Sequence, residues 1–596
     1  MSVLDRIERL RNVMEQQKID CYIIPTDDYH HSEYVGDYFK FREYITGFTG
    51  SAGTAVFTKD KAGLWTDGRY FIQAEAQLQG SGITLYKSGE PGVPTIEEFL
   101  KSELKEGDVL GFDGRTVTYA QGKRYCHIAD ENGASLQYRL DFAQNIWKER
   151  PEMSLEPVFS LADEYTGEKI GSKLERIREI MKENGCNAHV LSSLDDIAWL
   201  LNIRGNDIAY CPLVLSYAIV YNNSVELFAD IRKFSDDIIN LLAENQVKIY
   251  PYEDIYRKVS EMTSEDKLLL DSSIMNYSLY QAISKETVIV DKQNPEILMK
   301  SVKNETQAEN LRKAHLKDAV AHTKFMYWLK KNIGRVEITE LSASARLEGL
   351  RAEQEHFLGP SFGPISAYGE HGAIVHYSAD EKSNVPLKEG KLFMTDTGGH
   401  YLEGSTDITR TVALGEVGNI EKEHFTLVAR AMLRLANTVF LYGCSGANLD
   451  CISREVFWKE GLNFNHGTGH GVGYLLNIHE GPINFRWKEG ERPAPALEEN
   501  MVITDEPGIY IEGSHGIRLE NELLVRKTVK NEYGQFMNFE ILTYVPIDLD
   551  AILPEKMSTE EKEMLNHYHK QVYEKVSPYL SEEERIWLKE YTRAVK

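Results

Sequence analysis

The sequence predicts a mixed α/β protein in which two related α/β units precede a larger α+β domain. Three observations support this fold class. The chain has 596 residues, far more than the ~100–200 residues of a typical domain. A helix-then-strand pattern occurs twice in the first half, and short strands with turn signals begin near residue 385.

The first unit begins with an amphipathic helix predicted over residues 3–17, because its apolar residues recur at helical spacing: Leu4, Ile7, Leu10, Val13 and Met14. A β-rich segment follows at 21–24. The LDRI of residues 4–7 returns as LERI at 174–177, before the strand-like AHVL of 188–191. We interpret this repeat as an internal duplication, although amphipathic helices also resemble one another by chance.

Polar segments predict the domain boundaries. SLADEYTGEKIGSK at 160–173 is polar and contains glycine, and KNETQAEN at 303–310 opens a long helical stretch. We therefore expect three domains, comprising residues 1–158, 159–303 and 304–596.

Composition narrows the possible classes of protein. A net charge of −25 repels phosphate backbones and anionic lipid, so we expect no nucleic-acid or membrane partner. The N-terminus lacks the apolar stretch of a secretory signal, and no run approaches the ~18 apolar residues of a membrane span, which predicts a cytoplasmic protein. Six scattered cysteines without a CxxC pair predict free, mostly buried thiols.

The third domain is predicted to contain two antiparallel ribbons. KLFMTD (391–396) and HYLEGSTDITRTVAL (400–414) form the first, joined by a glycine turn, and NMVITDEPGIYI (500–511) with GIRLENELLV (516–525) forms the second. Residues 421–461 are rich in helix formers. The tail from Ser558 to Lys596 is predicted to be helical and to pack on the domain.

Acidic residues on these ribbons indicate a metal site. The first ribbon carries Asp396 and Asp407, and the second carries Glu506 and Glu520. If these carboxylates converge they repel one another unless cations lie between them, which favours a pair of divalent ions. His470, in the glycine-rich HGTGHGVG of 466–473, would add a nitrogen ligand.

The chemistry of this donor set suits manganese, cobalt or zinc. Two such ions ~3.5–4 Å apart convert a bridging water to hydroxide, which attacks a carbonyl in aminopeptidases. Each acidic residue taken alone is more often structural, for example as a helix cap or an edge-strand charge. Their joint order of Asp, Asp, His, Glu and Glu favours the metal site.

This ordered set resembles the pita-bread metallopeptidase family, which includes methionine aminopeptidase, prolidase, aminopeptidase P and the metal-free creatinase. The similarity is greatest to the three-domain aminopeptidase P type. It extends to HSEYVGDYFKFREYITGFTGSAGTAVFT at 31–58, WTDGRY at 65–70, FEILTYVPID at 539–548 and WLKEYT at 587–592. The resemblance implies two creatinase-type N-terminal α/β domains followed by a pita-bread catalytic domain, with a C-terminal extension from about residue 535.

The resemblance also assigns roles to the five candidate ligands. Asp407 and Glu520 correspond to the family's bridging ligands of two metal ions. Asp396 completes one ion, and His470 with Glu506 completes the other. Glu506 is also implied to shuttle a proton.

Further residues correspond to the family's substrate-handling groups. His376 in AIVHY, His466 and His479 are implied to orient the substrate and to stabilise the oxyanion. Arg69 matches a substrate-contacting arginine that acts across a dimer interface. One departure from the family pattern is GGH at 398–400, which removes no ligand.

The expected activity is hydrolysis of the N-terminal Xaa-Pro bond of peptides, with manganese as the expected metal and a homodimer as the expected assembly. The Xaa-Pro bond is a tertiary amide without an N–H, so general peptidases lose a backbone contact there. One alternative is a prolidase restricted to dipeptides. Another is a non-catalytic peptide- or protein-binding module, which the retention of all five ligand positions and three histidines disfavours.

Overall fold

The computed structural model describes residues 1–488, 490 and 493–596. It divides into two compact units. The first unit comprises Met1–Ser160 and Lys169–Glu296, and the second comprises Leu161–Glu168 and Ile297–Lys596.

The first unit contains two six-stranded sheets. In spatial order, the strands of the first sheet are Thr84–Lys87, Ala62–Thr66, Thr54–Thr58, Cys21–Pro25, Val109–Phe112 and Ser135–Gln137. Those of the second sheet are Val247–Tyr250, Val225–Phe228, Tyr217–Tyr221, Ala188–Leu191, Lys267–Leu270 and Val288–Asp291.

The two sheets have the same topology. Along each spatial order the five pairings are parallel, antiparallel, antiparallel, parallel and parallel. This agreement supports the two related α/β units predicted from the repeated helix and strand. In both of these α/β units a helix precedes the central strand of the sheet along the chain. The two helices are Val3–Gln17 and Ile170–Glu183.

The first predicted helix forms as expected, with one exception on its apolar face. Ser2 caps the helix Val3–Gln17 in a capping box, and Ile7, Leu10 and Met14 are buried. Leu4 was predicted on the same face but is 56% exposed. Val3 packs on the core instead, because a residue four positions before Ile7 lies closer to the buried face than one three positions before it.

The remaining helices of the first unit pack around these sheets. Those around the first sheet are Phe41–Thr46, Phe71–Gln77, Ile96–Glu103, Tyr119–Glu131 and Phe142–Ile146. Those around the second are Leu194–Leu200, Asp236–Glu244, Asp254–Ser260 and Tyr277–Ala282.

The second unit is built on one long helix, Glu305–Asn332, which Asn304 caps at the predicted opening. Its other main helices are Glu340–Ala352, Asn419–Ala436, Gly446–Trp458, Thr559–Val576 and Glu582–Tyr591. The predicted packing of the tail is confirmed, because Leu565, Tyr568, Val572 and Val576 are all buried in the core of this unit.

Among its described residues, the second unit also contains four sheets. The largest contains Phe440–Leu441, Gly534–Ile541, Asn521–Asn531, Val502–Asp505, Gly469–Val472 and His479–Phe485. A second contains Ile365–Tyr368, Lys391–Thr397 and Ile408–Leu414, and a third contains Phe357–Pro360, Gly399–Tyr401 and Gly404–Ser405. The fourth is the hairpin Gly508–Ile511 with His515–Arg518.

Two further expectations concern thiols and membranes. The six cysteines are free, but only Cys21, Cys186 and Cys211 are buried, so the expected burial holds for half of them. Within the described part of the chain, no helix combines the length and the apolar character needed to cross a bilayer.

Candidate metal centre

The first ribbon brings Asp396 and Asp407 together. Asp396 lies near the end of the strand Lys391–Thr397, where it pairs with Thr409 of the antiparallel neighbour. Asp407 was expected on a strand, but it directly precedes Ile408–Leu414. The connection is also more than the expected glycine turn. The chain enters the third sheet at Gly399–Tyr401 and returns at Gly404–Ser405.

The second ribbon is interrupted at both of its candidate ligands. Glu506 and Glu520 were expected on strands, but each lies in a break between two strands. Their backbone donors bond elsewhere. The N–H of Glu506 donates to the carbonyl of Thr468 at 2.8 Å, and that of Glu520 donates to the carbonyl of Thr409 at 3.1 Å. The chain therefore leaves the regular ladder where the carboxylates are needed.

His470 approaches the carboxylates because its neighbours are small. A Cβ on Gly469 would lie 1.9 Å from the carbonyl oxygen of Thr504, so only glycine fits there. Nδ1 of His470 lies 2.9 Å from the carbonyl oxygen of Gly471. When Nδ1 donates this bond, Nε2 presents a lone pair to the site. Nε2 lies 3.5 Å from Asp407 Oδ2.

Three overlapping groups of donor atoms converge, each within 4.8 Å: Asp396, Asp407 and Glu520; His470, Glu506 and Glu520; and Asp407, His470 and His479. The structure therefore brings all five candidate ligands together. It also brings in His479, which sequence reasoning placed outside the ligand set. The rings of His470 and His479 are 4.5 Å apart.

The electrostatics of the site fit divalent cations. Oδ1 of Asp396 and Oδ1 of Asp407 are buried without a hydrogen-bond partner among the described residues. Burial, followed by the charges of Asp396, Glu506 and Glu522, raises the pKa of Asp407 well above its usual value. Burial and the charge of Asp407 do the same for Glu520. Cations between these oxygens would relieve both the repulsion and the missing bonds.

Arg518 contacts the candidate site, and sequence reasoning missed it. Its Nε donates to Asp396 Oδ2 at 3.1 Å, and its Nη1 donates to the hydroxyl oxygen of Tyr510 at 2.7 Å. The Tyr510 hydroxyl lies 2.8 Å from His466 Nε2. A chain of polar contacts thus joins a candidate metal ligand to a candidate substrate residue. Strand alternation gave no usable signal for this contact, because Glu520 lies in a break of the ribbon.

A buried layer behind the site was also missed. The N–H of Asp407 donates to Glu522 Oε1 at 2.7 Å, and Glu522 Oε2 lies 3.0 Å from Nε2 of His315 on the long helix. The Thr409 hydroxyl donates to Glu520 Oε2 at 2.7 Å. These contacts orient two of the candidate ligands.

The remaining predicted site residues are placed as follows. His466 is part-buried, and burial followed by the charge of Arg518 lowers its pKa to about 3. His376 is half-buried and lies outside the three donor groups. Arg69 belongs to the first unit, where its Nε donates to Asp67 Oδ1 at 2.7 Å. Its expected substrate contact stays a prediction. His400 belongs to the GGH segment at 398–400, which departs from the family pattern. It is buried, and its Nδ1 lies 2.8 Å from Ser405 Oγ.

Comparison with known proteins places this centre in a family. Residues 309–527 match metallopeptidase family M24, and residues 535–595 match the C-terminal region of peptidase M24. Residues 6–136 and 149–307 match creatinase/prolidase N-terminal domains. Xaa-Pro aminopeptidase 1 of Dictyostelium discoideum is 35% identical over 594 residues, covering 97% of this chain and 94% of the relative. The chain belongs to metallopeptidase family M24.

Solved structures extend the comparison. A crystal structure of X-prolyl aminopeptidase from Caenorhabditis elegans, described as a cytosolic enzyme with a di-nuclear active site, covers 100% of both chains with a TM-score of 0.94 and 33% identity. Xaa-Pro dipeptidase from Bacillus anthracis covers only 64% of this M24 chain, with a TM-score of 0.51 and 24% identity, and shows the fold alone. These matches confirm the predicted fold class of two creatinase-type domains followed by a pita-bread domain.

Proposed function

We propose that this protein is a Xaa-Pro aminopeptidase that hydrolyses the N-terminal Xaa-Pro bond of peptides. The convergence of the candidate ligands on one centre carries the proposal. It occurs in a chain similar over its whole length to an X-prolyl aminopeptidase with a di-nuclear site.

Two divalent metal ions would be held by the five candidate ligands, Asp396, Asp407, His470, Glu506 and Glu520. We propose Mn²⁺ as the native metal, with Zn²⁺ and Co²⁺ as substitutes, because the set combines hard carboxylate oxygens with one imidazole. When bound, such a pair of ions lowers the pKa of water and polarises a carbonyl group.

The chain's own residues then move the proton and orient the substrate. Burial raises the pKa of Glu506, so this carboxyl group is suited to take a proton from the attacking water. It passes the proton to the proline nitrogen, because an amide nitrogen leaves readily only once it is protonated. The depressed pKa of His466 keeps its ring neutral near pH 7, so it orients the substrate and does not act as an acid.

His376 and His479 complete the proposed substrate pocket, where they would orient the peptide and donate to the developing oxyanion. Arg69 is proposed to contact the peptide from the partner subunit of a homodimer. Mixing two inactive variants, Arg69→Ala and Asp407→Asn, tests this arrangement. Each mixed dimer would contain one complete site, so about a quarter of wild-type activity should return. No recovery in verified mixed dimers would contradict it.

The rival function is a prolidase, which cleaves only dipeptides. Similarity over nearly the whole chain to Xaa-Pro aminopeptidases favours the aminopeptidase. The test compares Xaa-Pro with Xaa-Pro-Yaa peptides under identical metal loading. We expect cleavage of the tripeptide with release of Xaa, whereas strong cleavage of the dipeptide alone would overturn the proposal.

We also infer a cytoplasmic location, supported by the description of the Caenorhabditis elegans enzyme as cytosolic. The proposed substrates of the protein are peptides with proline at the second position. The net charge of −25 argues against nucleic acid and anionic membranes as partners. We also propose that the chain forms three domains, comprising residues 1–158, 159–303 and 304–596.

A further inference from the structure

We propose that Glu340 is a positioning residue that fixes the segment carrying His376, and the inference rests on the proposed function. The segment comprises residues 366–385 and is called here the His376 segment. Glu340 is the first residue of the helix Glu340–Ala352 and is not a member of the three donor groups.

Glu340 is fully buried, with 0% of its surface exposed. Burying a carboxylate costs free energy unless hydrogen bonds replace its contacts with water. A glutamate in the first turn of a helix normally remains in solvent, where it still interacts favourably with the helix dipole. The partners of the buried carboxylate therefore indicate what the residue does.

All three side-chain partners of Glu340 belong to the His376 segment. Oε1 accepts a hydrogen bond from the N–H of Tyr368 at 2.8 Å. Nδ1 of His371 lies 2.8 Å from the same oxygen. Oε2 accepts a bond from the Tyr377 hydroxyl at 2.9 Å. Tyr368 and Tyr377 lie on either side of the 3₁₀ turn Gly369–Ala373, and His371 lies within it.

The backbone of Glu340 binds the same segment near its two ends. Its N–H donates to the carbonyl of Val385 at 3.2 Å, and its carbonyl accepts a bond from the Ser366 hydroxyl at 2.7 Å. One residue thus holds the beginning, the middle and the end of the segment. Arg518 adds a further bond to this segment, because its Nη2 donates to the carbonyl of Val375 at 3.4 Å.

The contacts reach His376 through its neighbour in the chain. Tyr377 follows His376 directly, and its ring stacks on His371 with centroids 4.5 Å apart. The hydrogen bond from the His371 ring to the Glu340 carboxylate, together with the charge of that carboxylate, raises the pKa of His371. His376 is therefore flanked by Val375, bound by Arg518, and by Tyr377, bound by Glu340.

This arrangement matters because a residue that orients a substrate must be held to ~0.5 Å. His376 lies in a connection between strands, so its position depends on the anchors of that connection. Loss of an anchor shifts the imidazole relative to the candidate ligands. The cost should appear in turnover, with the metal ligands left in place.

The test is a double-mutant cycle in the full-length, metal-loaded enzyme, with a Xaa-Pro-Yaa tripeptide as substrate. Glu340→Gln keeps the size of the side chain but cannot accept a bond at both ends. We expect it to lower kcat/KM about tenfold, while metal content stays unchanged. In a His376→Ala background, the same substitution should cost less than twofold, because its effect passes through His376. Glu370→Gln is the matched control, since Glu370 is an exposed carboxylate on the same turn.

Equal losses from Glu340→Gln in both backgrounds would overturn the positioning role. A loss in the Glu370→Gln control as large as that in Glu340→Gln would also overturn it. If Glu340→Gln does not fold, Tyr377→Phe or His371→Gln can take its place in the double-mutant cycle with His376→Ala, because each removes one anchor. Wild-type activity is read separately. Hydrolysis by the wild type with an additive cycle refutes only the positioning role, whereas an inactive wild type refutes the proposed function.

Discussion

Replacing Asp407 with asparagine tests the metal centre most sharply among single substitutions. Asp407 contributes to two of the three donor groups, so one amide weakens both. The fold should persist, because asparagine has the same shape and the backbone N–H that donates to Glu522 is unchanged. We expect kcat/KM to fall at least about 10³-fold, equivalent to roughly 4 kcal/mol of transition-state stabilisation.

The same substitution, although it lowers activity, should increase the stability of the metal-free protein. Asp407 is buried, and one of its oxygens lacks a hydrogen-bond partner among the described residues. An amide removes the charge that Asp396 and Glu506 repel. The free energy of unfolding with chelator present should therefore rise by about 1 kcal/mol.

The assay combines peptide hydrolysis, metal analysis and thermal unfolding with and without chelator. Retained turnover in Asp407→Asn with unchanged metal content would refute the ligand assignment. A metal-free variant less stable than the metal-free wild type would refute the electrostatic reasoning. Asp60→Asn provides a control, because Asp60 is an exposed carboxylate outside the donor groups.

Two other outcomes follow from the same geometry. Arg518→Met removes the bonds to Asp396 and Tyr510. We expect activity or metal affinity to fall about 10–100-fold, as measured by steady-state kinetics and metal titration. Unchanged activity and unchanged metal affinity would contradict the supporting role of Arg518. In the metal-free protein the raised pKa values of Asp407 and Glu520 mean that the folded chain binds more protons than the unfolded chain. The stability that these two carboxyl groups contribute should therefore be fully present below about pH 4 and be lost as the pH rises through their folded pKa values, and added Mn²⁺ should reduce this loss. Thermal unfolding of the metal-free wild type compared with metal-free Asp407→Asn isolates the effect; a wild type that gains stability relative to the variant as the pH rises would refute the sign.

Local sequence patterns were sufficient to predict many of the helices and strands. The helix Val3–Gln17, the cap at Asn304 and the buried face of the tail follow from periodicity and capping chemistry within a few residues. The duplication was also visible, because each copy repeats a helix and a strand. The shared pairing pattern of the two sheets required the structure, since strand order depends on contacts distant in sequence.

The interruptions of the ribbons were not predictable from alternation. Glu506 and Glu520 leave the strands because their N–H groups bond to Thr468 and Thr409, which belong to other parts of the chain. A pattern of alternating residues contains no information on such partners. Sequence reasoning therefore identified the carboxylates but placed them on continuous strands.

Buried charges were missed for a related reason. Arg518 and Glu340 resemble ordinary surface charges in sequence, one on a ribbon and one in the first turn of a helix. Arg518 bonds to Asp396 across 122 positions in the chain, and Glu340 is buried by a segment that begins 26 residues later. Only the folded arrangement distinguishes them from solvated residues.

The central claim is metal-dependent cleavage of the Xaa-Pro bond, and one reconstitution measures it directly. Metal-stripped protein is supplied in turn with Mn²⁺, Zn²⁺ and Co²⁺, and the products from a Xaa-Pro-Yaa tripeptide are identified. We expect no turnover without metal, and release of free Xaa and Pro-Yaa on adding Mn²⁺. Full activity in verified metal-free protein, or no release of Pro-Yaa with any of the three ions, would contradict the claim.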